Sequence, residues 1–226
     1  MPLEALAIEF QPIVDLETGA TVAYEVLSGL RIAGALDASA LLAYASSERT
    51  FAELGRAIRR LAVREGAGKL LYLPVHALEL HESLIIQPDD PLFAYEGGVR
   101  IQLSHPLLTG VARHVLDELR SRSGAELVID DFGGGPATLK QLVELEPYAV
   151  KLDRELVSGL DRHVRKQAVV RGTAEMCREL DTRVLAKGVD CEAEALAVKN
   201  CGVRYAQGYV IGDPAPLPAI SIWPPR

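Results

Sequence analysis

The chain reads as a single α/β domain, a closed (β/α) barrel, and three observations carry that reading. Strand-like and helix-like stretches alternate along most of its 226 residues, which is the pattern of a parallel sheet with helical crossovers. That length and number of cycles suit a closed barrel better than an open sheet. The third observation is the stretch Glu126 to Lys140, ELVIDDFGGGPATLK, where an apolar run meets two adjacent carboxylates, a glycine-rich turn and the opening of a helix. Barrels of this class build ligand and metal sites from side-chain oxygens at the C-terminal ends of strands. Neighbours on a strand point to opposite faces, so Asp130 and Asp131 share one pocket only if the strand ends there and the backbone turns. Taken alone, a helix cap with a solvated turn is the plainer account of such a motif.

The elements follow in order. Ala5 to Val14 and Ala20 to Leu27 read as extended, joined by hairpin-loop residues Asp15 to Gly19. From Ser39 to Glu65, Leu41, Leu42, Tyr44, Phe51, Leu54, Ile58 and Leu61 recur at helical intervals with a break near Ser46 and Ser47, which predicts two helices. Lys69 to Val75 is a buried-strand candidate in which Pro74 either stops the pairing or sits where no ladder bond is needed, followed by helical sequence to about Ile86. Turn residues Pro88 to Pro91 precede a strand over Val99 to Ser104 and a helix over Thr109 to Ser121. After the Asp130–Asp131 strand come a helix to about Glu146, a strand over Tyr148 to Asp153 and a helix over Asp161 to Leu180. A strand over Arg183 to Ala186, a helix over Cys191 to Asn200 and a strand over Tyr205 to Val210 complete the pattern. Residues 1–213 are expected to form one barrel domain. Residues 214–226 form a proline-rich, extended tail, with Trp223 available to dock it.

Bulk properties narrow the function. A net charge of −7 argues against a binder of nucleic-acid polymers or membrane surfaces, and no apolar run approaches the length of a membrane span. The N-terminus lacks the order of a signal peptide, so a cytoplasmic protein is expected. Cys177, Cys191 and Cys201 have no metal spacing and are expected as buried free thiols. On a barrel the functional mouth is lined by residues at strand ends: Glu25, Pro74, Gln102, Asp130 with Asp131, Lys151 with Asp153, Lys187 and Gln207. His76 and His105 lie just past two neighbouring strand ends, where an imidazole metal site is an alternative to ordinary loop histidines.

The motifs FQPIVDLETGATVAYEVL, VIDDFGGG, VKLDREL, VLAKGVD and AQGYVIGDP occur in that order over nearly the whole chain. In them the sequence resembles the EAL domains, bacterial phosphodiesterases that linearise cyclic di-GMP on a modified TIM (β/α)8 barrel. The resemblance implies a two-metal hydrolysis of a phosphodiester, with carboxylates and an Asn holding Mg2+ or Mn2+. Glu25, Asp130, Asp131, Lys151, Asp153 and Gln207 match the family pattern, and Glu25, Asp130 and Asp131 are the metal ligands it implies if any metal is bound. Gln11, Pro12 and Leu27 join Lys151, Lys187 and Gln207 as its ligand-binding candidates.

Four positions depart from the pattern. Gly29 stands where the family has a phosphate-binding Arg, Pro74 where it has a metal-ligating Asn, Gln102 where it has a Glu ligand, and Lys187 where it has a Glu that assists metals and water. Gln102 removes one negative charge and Lys187 removes one and adds a positive, so the site is three units less negative than the family pattern. A pair of dications is not expected there. The Lys187 ammonium is expected to reach Glu25 or an aspartate and to stand where metal would have been, against the alternative of a snorkelling surface lysine. Lys151 with Asp153 also reads as a structural ion pair, and Gln207 as a satisfied core amide.

The expectation is therefore a degenerate EAL-type signalling protein, non-catalytic and without a cofactor, that works by binding a protein partner or cyclic di-GMP. Loss of the Arg at Gly29 tilts the choice towards a protein partner, and a homodimer stays open. The alternative is an active, metal-dependent cyclic di-GMP phosphodiesterase with an altered metal site. Because the barrel fills the sequence, regulatory input is expected from another molecule.

Overall fold

A computed structural model describes residues 5–32, 34–48, 50–76, 79–80, 84–104, 113–134, 139–216 and 223–224. Its centre is a ring of eight strands: β1 (Leu6–Asp15), β2 (Thr21–Ile32), β4 (Leu71–Pro74), β5 (Val99–Ser104), β6 (Glu126–Phe132), β7 (Ala149–Leu152), β8 (Arg183–Ala186) and β9 (Tyr205–Ala206). A short β3 (Ala35–Asp37) pairs with the outer part of β2. β2 and β4 to β9 run parallel in order, and β1 closes the ring by pairing antiparallel with both β2 and β9. The antiparallel strand follows from the loop Asp15 to Gly19. Asp15 Oδ1 accepts from the Glu17 and Thr18 N–H groups, and the tight turn leaves β2 only one direction in which to run. A wholly parallel ring, the simplest outcome of strand and helix alternation, is therefore broken at one strand.

The helices are α1 (Ala38–Glu48), α2 (Phe51–Glu65), α3 (Arg113–Ser123), α4 (Leu139–Leu145), α5 (Arg154–Val157), α6 (Val164–Glu179) and α7 (Glu192–Asn200). Leu54, Ile58 and Ala62 of α2 recur every fourth residue and are buried against the barrel, as an amphipathic helix requires. Alternate strand residues split the core in two. Phe10, Leu71, Leu73, Ile101, Leu127 and Ile129 face the helices, whereas Ile13, Ala23, Tyr72, Val128, Ala149 and Leu185 fill the barrel interior. This inner plug means the ring is a packed core with a floor for whatever sits above it.

Both expected helices between Ser39 and Glu65 are present, as is the hairpin at the start. The last strand is shorter than its sequence suggests, two residues instead of six. Past Ala206 the chain is drawn towards Val189, and a Cβ at Gly208 would lie 2.1 Å from the Val189 carbonyl oxygen. Residues 109–112 at the start of the expected third-crossover helix and 77–78 and 81–83 after β4 lie outside the described residues. Cys177 and Cys201 are buried free thiols, but Cys191 is exposed, because it precedes α7 on the surface rather than on its packed face. Two described residues of the tail meet the hairpin: Ala215 pairs with Phe10, and the Trp223 N–H donates to Gly19 O at 2.8 Å.

Candidate functional site

The strand ends bring most of the sequence-predicted residues together above the inner plug. On β2, Glu25 follows Ala23 on the inward face, and Gln11 faces it directly from β1. Gln102 comes from β5, Lys151 from β7, and Gln207 from the residue after β9. Lys151 is fully buried; Glu25, Gln102, Gln207 and Gln11 are each at most 9% exposed. Burial at this level calls for partners, and the cluster supplies them except at Gln207 Oε1, which is buried without one. Lys151 Nζ pairs with Glu25 Oε1 and donates to Gln102 Oε1 at 2.7 Å, while Gln102 Nε2 donates to Glu25 Oε1 at 2.9 Å. Gln207 Nε2 donates to Glu25 Oε2 and to Gln11 Oε1, the latter at 3.2 Å, and Gln11 Nε2 reaches Gly212 O at 3.3 Å. Both oxygens of the Glu25 carboxylate are thus occupied by protein donors.

A second cluster sits nearer solvent. Lys187, the residue after β8, places Nζ 2.9 Å from Asp130 Oδ1 and against Asp131 Oδ1. The two adjacent aspartates reach one cation because the β6–β7 ladder slips. Ile129 pairs with Val150 and Phe132 with Leu152, so β6 carries one extra residue, and Asp131 adopts a left-handed φ of 54°. Asp131 N–H bonds back to Asp130 Oδ1 at 2.9 Å. Burial pushes the Asp130 carboxyl up, but the ammonium groups of Lys151 and Lys187 outweigh it and hold it below its ordinary value. Burial alone would lower the Lys187 ammonium; Asp130 and Asp131 instead hold it above its ordinary value. The arrangement is a lysine ammonium anchored across two carboxylates.

Other candidates fall elsewhere. Asp153 does not join Lys151: its Oδ1 caps α5 by accepting from the Glu155 N–H at 2.7 Å. The helix takes it because β7 ends at Leu152, so Asp153 falls at the turn into α5 instead of on the strand face that carries Lys151. Gly134 is required beside it, since a Cβ there would lie 2.2 Å from Asp153 Cγ. Pro12 is one residue from Gln11 and so points to the helical layer, away from the mouth. Leu27 shares the inward face of β2 with Glu25 and is half-buried. Pro74 ends β4 at the rim, exposed and without a donor or acceptor on its side chain. Gly29 is closed off by β3: a Cβ there would lie 2.8 Å from the Asp37 backbone carbon. His76 stacks on Phe51 with ring centroids 4.0 Å apart, while His105 lies outside the described residues.

One rim pair was not singled out from sequence. Arg31, six residues beyond Glu25 and so on the same face of β2, pairs with Glu9 at 3.3 Å and donates to Gly34 O at 3.2 Å. Its signal was the period of two along the strand. Among the described residues, no three His, Cys, Asp or Glu side chains gather in a group fit to hold a metal ion.

A closed barrel with one antiparallel strand and a polar cluster at its strand ends defines a TIM-barrel-like class of α/β proteins. The EAL domain family model matches residues 3–214, and the chain belongs to that family. An uncharacterized signaling protein of Caulobacter vibrioides is 30% identical over 155 residues, covering 68% of this chain and 18% of that protein. The probable cyclic di-GMP phosphodiesterase PdeN of Escherichia coli is 26% identical over 242 aligned positions, covering 97% of this chain and 45% of PdeN. The chain therefore spans less than half of either relative. The manganese and cyclic di-GMP complex of BlrP1 from Klebsiella pneumoniae superposes with a TM-score of 0.83 at 26% identity, over 99% of this chain and 59% of that one. The EAL domain of FimX from Xanthomonas citri, in complex with cyclic di-GMP, gives a TM-score of 0.83 at 18% identity, over 95% and 89% of the two chains, a likeness of fold. The chain is an EAL domain of bacterial signalling, related to cyclic di-GMP phosphodiesterases, and among its described residues no helix is long and apolar enough to cross a membrane.

Proposed function

We propose that this EAL domain does not hydrolyse cyclic di-GMP and acts in signalling by binding, with a protein partner as the favoured ligand. The observation that carries the reading is the Lys187 ammonium held between Asp130 and Asp131. The residues present do not fit two divalent cations. Both aspartates share a fixed cation, both Glu25 oxygens accept from Lys151, Gln102 and Gln207, and Pro74 supplies no side-chain oxygen. Hard dications need several free anionic oxygens. Among the described residues, with no metal-activated water and with Glu25, Asp130 and Asp131 each held by lysine or amide donors, the mouth lacks the means to attack a phosphodiester.

The choice of partner rests on Gly29. An arginine there would meet the β3 backbone, so the phosphate clamp implied by family resemblance has no room, and Arg31 beyond it is tied to Glu9. Cyclic di-GMP as a non-hydrolysed ligand is the second reading, favoured by Lys187, whose side chain keeps 20% of its surface at the mouth. A cytoplasmic setting, and a homodimer as one form of partner, fit this reading.

The test is the variant Lys187→Glu/Gln102→Glu/Pro74→Asn, assayed beside the wild type for release of linear dinucleotide with Mn2+. A large gain over an inert wild type is the expected result. An active wild type that the variant does not improve overturns the reading. Calorimetric titration of cyclic di-GMP into the wild type separates the two modes of binding: no heat at any metal concentration leaves the protein partner.

A further inference from the structure

The end of the barrel opposite the Glu25 network holds a separate concavity. Where β8 and β9 begin, an open cleft of about 580 Å3 is lined by Arg171, Arg178, Thr182, Arg183, Arg204 and Tyr205, among others. Arg183 and Lys187 stand at the two ends of β8, about 13 Å apart at the rise of an extended strand. The cleft is therefore not an extension of the mouth.

The lining sets four arginines against three carboxylates, Glu17, Glu175 and Asp181. The chain carries a net charge of −7, yet four arginines meet here. Arg204 is engaged by Asp15 at 2.6 Å and Glu17 at 3.5 Å. None of the ion pairs formed among the described residues uses Arg171, Arg178 or Arg183, although Glu175 and Asp181 also line the cleft and Arg171 hydrogen-bonds the Cys201 side chain. Arg183 lies over the Tyr148 ring at 4.2 Å, and Arg100 meets the same ring at 4.1 Å. Stacking fixes the plane of a guanidinium and leaves its edge, with the N–H donors, for a planar or tetrahedral anion. Guanidinium forks bind phosphate oxygens in pairs, which point charges on lysine do not. The half-buried Tyr205 ring lies beside them, with the Arg204 guanidinium 5.6 Å from its centroid, and the volume lies within the range of small-molecule sites, about 300–1,000 Å3.

We propose that this cleft binds a phosphorylated small molecule of nucleotide size, its phosphates held by Arg171, Arg178 and Arg183 and its body against Tyr205. The site is independent of what the mouth does, so the proposal stands or falls separately from the function assigned there.

The experiment is calorimetric titration of ATP into the full chain, with adenosine as the phosphate-free control, followed by Arg171→Glu/Arg178→Glu. ATP is expected to bind and adenosine not, and the double charge reversal is expected to weaken ATP about tenfold or more. Hydrogen exchange of the wild type with and without ATP guards against a variant that fails to fold. Protection is expected over residues 171–184 and 200–205. Absence of ATP binding, equal binding of adenosine, or protection confined to the strand ends that carry Glu25, Asp130 and Lys187 overturns the proposal.

Discussion

Replacing Lys187 by glutamine removes the cation shared by Asp130 and Asp131 and leaves two adjacent carboxylates facing each other. The cost can be bracketed from exposure. Stripping one partner from a fully buried ion pair costs about 3–5 kcal/mol, whereas an exposed pair is worth about 0–1 kcal/mol. The side chains of Lys187 and Asp130 are 20% and 15% exposed, but that of Asp131 is 42% exposed, so its arm is largely screened. About 2 kcal/mol is the expected loss, which for a domain of this size lowers Tm by about 4–8 °C. The same change frees the oxygens that a divalent cation needs. Mn2+ at one hundred times its Kd would return about 2.7 kcal/mol to the variant and nothing to the wild type. Differential scanning calorimetry of both proteins, with and without Mn2+, reads all four values. A wild type that Mn2+ stabilises as much as the variant, or a variant that melts like the wild type, would refute the reasoning that Lys187 occupies a cation's place.

Other consequences are as specific. Lys151→Met leaves the Glu25 carboxylate buried without a cation and is expected to cost about 3–5 kcal/mol in urea denaturation; a loss under 1 kcal/mol contradicts the network described. Gly29→Arg drives a side chain into β3 and is expected to cost about 1–3 kcal/mol without creating affinity for cyclic di-GMP, as thermal melts and titration will read. Stability against pH carries a sign from each partner of the outer cluster. Asp130 is held below its ordinary 3.8, so its contribution is complete above that value and is lost as pH falls through the lower folded value. Lys187 is held above its ordinary 10.5, so its contribution is complete below that value and is lost as pH rises through the higher folded value. Between about pH 5 and about pH 9 the difference in stability between the wild type and Lys187→Gln should therefore stay constant; a difference that vanishes near neutrality contradicts the assignment.

Much of the fold is legible in the sequence because it is written in short-range rules. Asp15 to Gly19 dictates the hairpin that makes β1 antiparallel, the spacing of Phe51, Leu54, Ile58 and Leu61 dictates α2, and alternation along each strand separates the inner plug from the outer core. The same alternation brings Glu25, Gln102 and Lys151 to one face once their strands are recognised. What was not legible depends on contacts between distant segments. That Asp153 caps a helix and leaves Lys151 to Glu25 is decided by where β7 ends, at Leu152, and the chain turns into α5. That Lys187 reaches Asp130 and Asp131 rather than Glu25 depends on an extra residue in β6, visible only as a slip against β7. Gly29 reads from sequence as a lost arginine; in three dimensions it is a position that β3 needs empty of a side chain. The arginine cleft is invisible for the same reason, because Arg171, Arg183 and Arg204 come from a helix, a strand and a loop.

The most direct test of the central claim is incubation of the wild-type chain with cyclic di-GMP and excess Mn2+, with the nucleotide followed by mass spectrometry. Cyclic di-GMP recovered intact, with Lys187→Glu/Gln102→Glu/Pro74→Asn producing linear dinucleotide under the same conditions, is the predicted result. Linear dinucleotide formed by the wild type in proportion to protein, and abolished by EDTA, would contradict the claim that Lys187 has displaced the metals.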